Sequence, residues 1–415
     1  MADEEPKVRW LFEDEPTNGT RPKPLGLWSG AEHGEGALPA RDWLLGTTFC
    51  RGFLSSIVAE GGTGKSALRM AQALALATGR PLTGEKVFRQ TRVLYISLED
   101  DATELRRRLL AALMHHNVSY ESIRDWLFLA SPGDDWNARE PMSEYTLAYS
   151  TRRGEIKVGE FLTKLNSAIF HYDFGLVIID PFIKLHALNE NSNAEIDFLC
   201  RVLSTLAMQY HVAIDLPHHT SKLTDLNGGS RSNRARGGSA FRDAVRLLYT
   251  LSAMTADEAT ELNVSDEDRR HLVRLDPGKL NITVPATKAD WFRLVSVKLG
   301  NGDAIHPNGD EVQTVASWDA PDFWAGLTIS LANQILDVLD AGLPDGRRYS
   351  TAHNIGDDTR RAWRIVLDFA PDLSEAQAKM VINEWLKRKI VESRDYDDPT
   401  QRKPQKGLFV LRRPG

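Results

Sequence analysis

Short apolar runs alternate with amphipathic stretches between residues 54 and 217. Runs without a polar face predict buried parallel strands, and stretches with apolar residues three and four apart predict helices. Strands that alternate with helices indicate a doubly wound α/β sheet. The predicted strands cover residues 54–58, 92–98, 175–180 and 211–217, and the predicted helices include residues 65–78, 158–170 and 194–210.

After Ala244 the pattern changes to strands that are joined by turns. This pattern predicts an antiparallel extension of the same sheet. The predicted strands of the extension cover residues 245–251, 270–275, 280–284 and 291–297.

The C-terminal part has a different pattern. It predicts helices over residues 329–339 and 359–369, and a third helix whose capping box begins at Ser374. Two apolar strands around a polar tip follow, and three helices before a hairpin are typical of a winged helix. The predicted domains are a flexible arm (1–38), an ATPase domain (39–318) and a winged-helix domain (326–415).

The turn after the first strand has the pattern of a phosphate-binding loop, with Ala59 where the first glycine usually stands. Glycines let backbone N–H groups surround an anion, and the following helix adds its N-terminal partial charge. The lysine of such a loop reaches the outer phosphates of ATP, and the serine hydroxyl binds Mg²⁺. The alternative is an ordinary glycine-rich turn. The candidate residues are Gly61, Gly62, Thr63, Gly64, Lys65 and Ser66.

Polar side chains end the other predicted strands, and in open α/β sheets ligands bind at these carboxyl ends. Asp180 matches an acid that holds Mg²⁺, although it could instead cap a turn. Glu99 is placed to activate a water for attack on the γ-phosphate, or it begins a helix. His218 and His219 end a third strand, where one of them could contact the γ-phosphate and the pair could equally be structural.

Composition narrows the class of protein. The chain has 415 residues with 42% hydrophobic content, which predicts a globular protein. Its formal charge of −6 does not indicate nucleic-acid binding, although a local basic patch could still provide it. No apolar run approaches the roughly 20 residues that cross a membrane. Two cysteines, Cys50 and Cys200, favour a reducing cytoplasm and argue against a structural zinc site.

Together these motifs resemble those of the RecA-like hexameric helicases of the RepA type, which broad-host-range IncQ plasmids encode. The resemblance extends from about Trp43 to Gly302. It is carried by Gly-Thr-Gly-Lys-Ser at 62–66, Val-Leu-Tyr-Ile-Ser-Leu-Glu-Asp at 93–100, Arg-Arg-Leu at 107–109, Val-Ile-Ile-Asp at 177–180, His-His-Thr-Ser-Lys at 218–222, Arg-Gly-Gly-Ser at 236–239 and Ser-Ala-Met-Thr-Ala-Asp-Glu-Ala at 252–259.

The resemblance implies a role for several of these residues. Glu99 matches the catalytic carboxylate, Asp180 the acid associated with Mg²⁺ and His219 the sensor of the γ-phosphate. Arg108 matches an active-site arginine. Arg246 matches an arginine finger that is donated to the neighbouring subunit of a ring, although a surface strand residue remains the alternative.

The same resemblance places Lys279, in the hairpin segment Lys279-Leu280-Asn281, near the neighbour's nucleotide. It also implies that the polar loop 223–235 lines a central channel that grips single-stranded DNA through Arg231, Arg234 and Arg236. A loop in solvent is the alternative. Lys184 and His186 are weaker candidates for the same contact.

The compact plasmid helicases lack the C-terminal part. From Asp345 onward it has 15 Lys/Arg against 11 Asp/Glu, a charge of +4 on an acidic chain. This favours binding to duplex DNA over docking to a protein. The candidate contacts are Lys379, Arg402, Lys403 and Lys406.

The sequence therefore predicts an ATP-driven, ring-shaped DNA helicase or translocase, expected to be a hexamer. The alternative is a DNA-binding ATPase that loads or remodels a complex without unwinding DNA.

Overall fold

The computed structural model describes residues 38–131, 145–219, 236–262, 264–283, 289–319, 327–352, 356–401 and 403–413. The chain divides into two compact units. One comprises Met1–Ala253 and His271–Trp318, and the other comprises Met254–Arg270 and Asp319–Gly415.

The first unit contains most of the regular structure. Its helices are α1 Lys65–Thr78, α2 Ala102–His116, α3 Tyr120–Ile123, α4 Glu160–Tyr172, α5 Asn193–Gln209 and α6 Arg236–Ala244. Its strands are β1 Trp43–Leu45, β2 Phe49–Cys50, β3 Leu54–Ala59, β4 Val93–Ser97, β5 Leu127–Ala130, β6 Ala148–Ser150, β7 Ile156–Val158, β8 Leu176–Asp180, β9 His186–Ala187, β10 Ala213–Asp215, β11 His218–His219, β12 Leu247–Ala253, β13 Leu272–Leu280, β14 Asp290–Lys298 and β15 Glu311–Trp318.

The main sheet has ten strands in the order β15-β14-β13-β12-β3-β10-β8-β4-β5, with β11 paired to β3. The strands from β12 to β5 are parallel, and β13, β14 and β15 extend them in antiparallel pairs. The predicted doubly wound α/β sheet with an antiparallel extension is therefore confirmed.

Register brings the ends of the central strands together. Ser97 lies opposite Asp180 in the pair of β4 and β8, and His219 lies opposite Ala59 in the pair of β11 and β3. The phosphate-binding loop follows Ala59, and Glu99 follows Ser97 by two residues. The carboxyl ends of the central strands thus carry the predicted acids, the histidine and the loop.

Helices cover both faces of the sheet because alternate strand residues point to opposite sides. Tyr95 and Ile178 pack with α1, α2 and α3, whereas Ile96 and Ile179 pack with α4 and α5. None of the helices in the described part of the chain is long and apolar enough to cross a bilayer.

A buried ion pair fixes α1 to the sheet. The guanidinium of Arg69 contacts both carboxylate oxygens of Asp215, at 2.7 Å from Nε and 3.0 Å from NH2. Both side chains have no exposed surface. Ser55 Oγ donates to Asp215 at 2.7 Å, and Arg69 also donates to Gln72. Because removal of either partner would leave a buried charge, this pair holds the helix behind the phosphate-binding loop in one position.

The antiparallel extension differs from the prediction in two ways. Residues 270–275 and 280–284 were predicted as separate strands, but a single strand, β13, runs through Pro277 and Gly278. Tyr249 pairs with Pro277 while Leu248 pairs with Lys279, so Gly278 is the extra residue of a β-bulge and not a turn. Strand β15 was not predicted at all.

The second unit contains α7 Ala256–Glu261, α8 Asp266–Arg269, α9 Ile329–Ala341, α10 Ala362–Phe369, α11 Glu375–Lys387 and the strands β16 Val391–Asp397 and β17 Pro404–Val410. β16 and β17 form an antiparallel pair. The predicted capping box at Ser374 is present, with Gln377 as its partner. Trp385 is the largest fully buried side chain and packs among α9, α10 and α11.

Candidate active site

The phosphate-binding loop connects β3 to α1, and its glycines adopt conformations that other residues rarely take. Gly62 has φ +79° and Gly64 has φ +91°, while an added Cβ at Gly61 or Gly62 would meet no atom within 4 Å. Thr63 Oγ1 donates to the Glu60 carbonyl at 2.8 Å. α1 begins at Lys65, as predicted, so its first N–H groups face the loop.

A cavity of about 330 Å³ opens at this loop. Residues 62–67 form its floor, and Glu99 and His219 lie at one wall. Glu104 and Arg108 of α2 and residues 311–313 of β15 complete the lining. The volume falls within the range of small-molecule sites.

Lys65, His219 and Glu99 form a contiguous group. Lys65 Nζ lies 3.1 Å from Nδ1 and 3.2 Å from Nε2 of His219, and His219 Nε2 lies 3.7 Å from Glu99 Oε1. Lys65 is only 4% exposed. Burial lowers the pKa of its ammonium, while the carboxylates of Asp180 and Glu99 oppose that shift. The group combines a buried cation, a histidine and an acid that reaches solvent.

Ser66 and Asp180 form a second group, on the floor of the cavity. Ser66 Oγ donates to Asp180 Oδ2 at 2.6 Å, and the buried Tyr95 hydroxyl donates to the same oxygen at 3.0 Å. Burial, together with the charge of Asp180, raises the pKa of Tyr95 well above its usual value, so Tyr95 remains a donor. A hydroxyl oxygen beside a carboxylate is an oxygen donor set that fits Mg²⁺.

The side chain of Arg108 pairs with acidic residues at the start of α2. Its Nε lies 2.9 Å from Asp100 Oδ2 and 3.6 Å from Glu104 Oε1. Asp101 caps this helix by accepting from the Glu104 N–H. Arg108 therefore lines the cavity from a fixed position, within the same subunit as the phosphate-binding loop.

Arg246 and Lys279 lie toward the opposite end of the strands, away from the phosphate-binding loop. The Arg246 N–H donates to the Leu54 carbonyl at the start of β3, and its side chain is exposed. Lys279 Nζ donates to the carbonyls of Arg242 and Asp243 at 2.8 and 3.0 Å, which caps the end of α6. At about 3.3 Å per residue, the five steps of β3 from Leu54 to Ala59 separate the backbone of Arg246 from the phosphate-binding loop of the same chain by roughly 16 Å.

The two adjacent histidines have different surroundings. The ring of His218 packs against Phe182 and Phe241, with centroid distances of 5.7 and 5.2 Å. Burial lowers the pKa of His218 to about 4, with a smaller contribution from the charge of Lys65. His218 is therefore neutral near pH 7 and belongs to the core, whereas His219 reaches the cavity.

Two side chains after β8, Lys184 and His186, were considered for a DNA contact, and their surroundings differ. His186 is 8% exposed, and burial lowers its pKa to about 4. Its interpretation as a DNA contact is wrong because the ring packs beside Phe182 in the core. Lys184 Nζ lies 3.8 Å from Glu99 Oε1, which brings it to the candidate active site.

Several predicted DNA contacts lie outside the described residues, namely Arg231, Arg234 and Arg402. Arg236 is the first residue of α6. In the second unit, Lys379 Nζ lies 2.6 Å from Glu375 Oε1 and 5.4 Å from the centre of the Trp363 ring. Lys403 and Lys406 are exposed.

Several residues at or beside the site were not singled out for it from the sequence, including Glu60 and Glu104 of the cavity lining. Tyr95 and Lys184 could have been noticed by spacing, because Tyr95 precedes Ser97 on one strand and Lys184 follows Asp180 by one helical turn. Glu311 and Gln313 carried no such signal, since the strand that bears them was not predicted.

The chain is similar to several known proteins over the region that contains the site. A family model described as an AAA domain matches residues 20–225. The chain is also similar to three solved structures. They are a KaiC-like protein of Pyrococcus horikoshii (14% identity, 65% of this chain and 91% of that chain, TM-score 0.38), the RadB recombinase (13%, 60% and 89%, 0.38) and the flagellar accessory protein FlaH of Methanocaldococcus jannaschii (14%, 65% and 91%, 0.39).

The AAA-domain match spans the phosphate-binding loop, Glu99, Asp180 and His219 of the candidate site. The α/β class follows from this chain's own strand order.

Proposed function

We propose that this protein is an ATP-driven, ring-shaped DNA helicase or translocase that acts in the replication of a plasmid, phage or other mobile element. The observation that carries the proposal is the contact of His219 with both Lys65 and Glu99. One side chain then touches the group that binds the γ-phosphate and the group that activates water. The chemical state of the nucleotide can therefore alter the position of the strand that bears His219.

The hydrolytic step uses residues that already lie together. Glu99, exposed at the cavity wall, orients the attacking water and accepts its proton. Lys65 neutralises charge on the β- and γ-phosphates from its buried position. Ser66 and Asp180 would hold Mg²⁺, which would supply further neutralisation of phosphate charge. Arg108 lies close enough to support the outer phosphate within the same subunit.

Continuity of the chain connects this site to DNA. His219 ends β11, and residues 220–235 follow it directly before α6 begins at Arg236. Arg231, Arg234 and Arg236 would bind the phosphates of single-stranded DNA in the ring channel, in a salt-dependent way. A movement of β11 on hydrolysis would displace these arginines along the strand.

A strand-displacement assay on a tailed DNA duplex tests the proposal. The wild-type protein is expected to release the displaced strand in the presence of ATP and Mg²⁺, and the Glu99→Gln variant is expected to release none, because unwinding consumes hydrolysis. If single-stranded DNA stimulates hydrolysis but no strand is released, the protein is instead an ATPase that loads or remodels a DNA-bound complex.

The second unit supplies a further DNA contact on this proposal. α11 carries Lys379 and Asn383. The exposed Lys403 lies just before β17, and the exposed Lys406 lies on β17. In a winged helix the third helix enters the major groove and the hairpin touches the backbone. Lys406 lies opposite Asp395 across the strand pair, so part of this charge is locally balanced.

Reversing the charge of the hairpin should weaken binding to duplex DNA. Lys403→Glu with Lys406→Glu is expected to lower affinity and to reduce the slope of log affinity against log salt by about two, since each lysine contributes about one. Fluorescence anisotropy at several salt concentrations measures both. Arg152→Glu with Arg153→Glu changes the net charge equally at exposed positions of the first unit and should not change the slope. An unchanged slope in the hairpin variant would make the hairpin a docking surface for a protein.

A further inference from the structure

Strand β15 lies against the phosphate-binding loop, although three strands separate it from β3, which precedes the loop, in the sheet order. A Cβ added at Gly64 would lie 2.5 Å from Leu294 Cδ2 and 3.5 Å from Gln313 Oε1. The antiparallel extension therefore curls over α1, and its last two strands approach the backbone of the loop. A side chain at Gly64 would require Leu294 to shift, and the φ of +91° would strain any residue other than glycine.

The beginning of β15 is held from two sides. Arg107 Nε of α2 lies 3.0 Å from Asp310 Oδ2, immediately before the strand. Ser296 Oγ of β14 donates to Glu311 Oε2 at 3.0 Å, and Lys298 Nζ lies 3.5 Å from Glu311 Oε1. These contacts fix the Glu311 carboxylate at the cavity without help from a ligand.

The cavity lining separates into two chemical sets. Lys65, Ser66 and the loop N–H groups donate hydrogen bonds or positive charge, as phosphates require. The Glu311 carboxylate only accepts hydrogen bonds, and Lys298 balances its charge, so the part of a nucleotide that contacts it is expected to be a donor. The side-chain amide of Gln313 can both donate and accept, and within the described residues it forms no hydrogen bond.

We propose that β15 forms the nucleoside half of the site, an inference that rests on the nucleotide binding in the proposed function. The carboxamide of Gln313 pairs with the base, and the carboxylate of Glu311 accepts from the ribose hydroxyls. Ribose hydroxyls are the first donors beyond the α-phosphate, and glutamine side chains form paired hydrogen bonds with adenine. The strand then selects a purine ribonucleotide while the loop holds its phosphates.

Calorimetric titration with ATP and with inorganic triphosphate, without DNA, tests this inference on the full chain. Gln313→Ala and Glu311→Ala are each expected to raise the Kd for ATP by about 3- to 10-fold, the effect of one lost hydrogen bond. Their Kd for inorganic triphosphate should stay within about twofold of wild type, because the phosphate contacts persist. Gln209→Ala, at an exposed glutamine at the end of α5, is the matched control and should change neither value.

Two results would overturn the inference. If both ligands weaken equally, β15 supports the phosphate-binding loop and does not contact the nucleoside. If neither ligand weakens, the nucleoside lies elsewhere. Because no DNA is present, a failure of strand displacement cannot produce either result, so this proposal and the proposed translocation fail separately.

Discussion

The Glu99→Gln variant is expected to bind ATP with near wild-type affinity and to hydrolyse it about 10²- to 10⁴-fold more slowly, the range for loss of a general base. Glutamine keeps the size of the side chain and can still donate toward His219, but it cannot accept a proton from water. Glu99 is exposed at the cavity wall and lies 3.7 Å from His219 Nε2, so the substitution leaves Lys65 and the loop in place. Steady-state hydrolysis and calorimetric binding measure the two effects.

The Lys65→Ala variant is expected to fail at the earlier step. Its ammonium is buried beside Asp180 and Glu99, and its loss leaves an acidic cavity that repels the triphosphate. ATP binding should become undetectable at concentrations that saturate wild type. Lys65→Ala is thus expected to abolish ATP binding, whereas Glu99→Gln is expected to abolish hydrolysis alone, although the two residues belong to one contiguous group.

Glu60→Gln is the matched control for Glu99→Gln. Glu60 also lines the cavity, but the loop uses its backbone carbonyl and not its carboxylate. The control should hydrolyse ATP at close to the wild-type rate. If Glu99→Gln and Lys65→Ala lose ATP binding equally, Glu99 holds the loop or the nucleotide and is not the base.

The loop and the strand-end acids could be predicted because each depends on short segments of sequence. The glycines, Lys65 and Ser66 occupy fixed positions between an apolar run and an Ala- and Leu-rich helix. Asp180 ends its own apolar run. In a parallel sheet, strand ends meet at one edge whatever the details of packing, so local patterns were sufficient to bring these groups together.

Side-chain direction could not be predicted at the paired histidines. Successive residues of a strand point to opposite faces, so one of His218 and His219 had to enter the core. Which one depends on the pairing of β11 with β3 and on the position of Phe241, which comes from α6. That information is tertiary, and the dipeptide does not contain it.

The Arg69–Asp215 pair and strand β15 could not be predicted either, because both depend on tertiary structure. An arginine in an alanine- and leucine-rich helix and an aspartate in an apolar strand each indicate a buried partner, but their pairing requires β10 to lie beside β3. β15 was missed because Glu311, Gln313 and Thr314 resemble a polar loop until α1 and α2 cover one side. Its residues nonetheless complete the cavity.

The largest effect beyond the cavity is expected at Arg246. Its backbone pairs with Leu54 at the far end of β3, so its side chain cannot reach the nucleotide of its own subunit. In a ring with heterologous contacts, that exposed edge can face the cavity of the next subunit. An arginine supplied in trans neutralises charge on the transferring phosphoryl group. Arg246→Ala is then expected to bind ATP normally and to hydrolyse it about 10³- to 10⁵-fold more slowly.

Mixing subunits distinguishes a trans role from a structural one. Neither Arg246→Ala nor Glu99→Gln should hydrolyse ATP alone, but a random mixture in equal amounts places an intact Glu99 against an intact Arg246 at roughly a quarter of the interfaces. Activity should therefore reappear on mixing. Arg201→Ala, at an exposed arginine of α5 that pairs with Asp197, serves as the matched control and should be active before mixing.

Mixed rings must be demonstrated, by co-purification of two differently tagged subunits, before the result is interpreted. Recovery in such rings would mean that one subunit completes the site of another, which explains why Arg246 is absent from the cavity of its own subunit. No recovery at any ratio would place the function of Arg246 within its own subunit, beside Lys279 at the end of α6. The cavity would then be complete with Arg108 as its arginine, and hydrolysis would not require a ring.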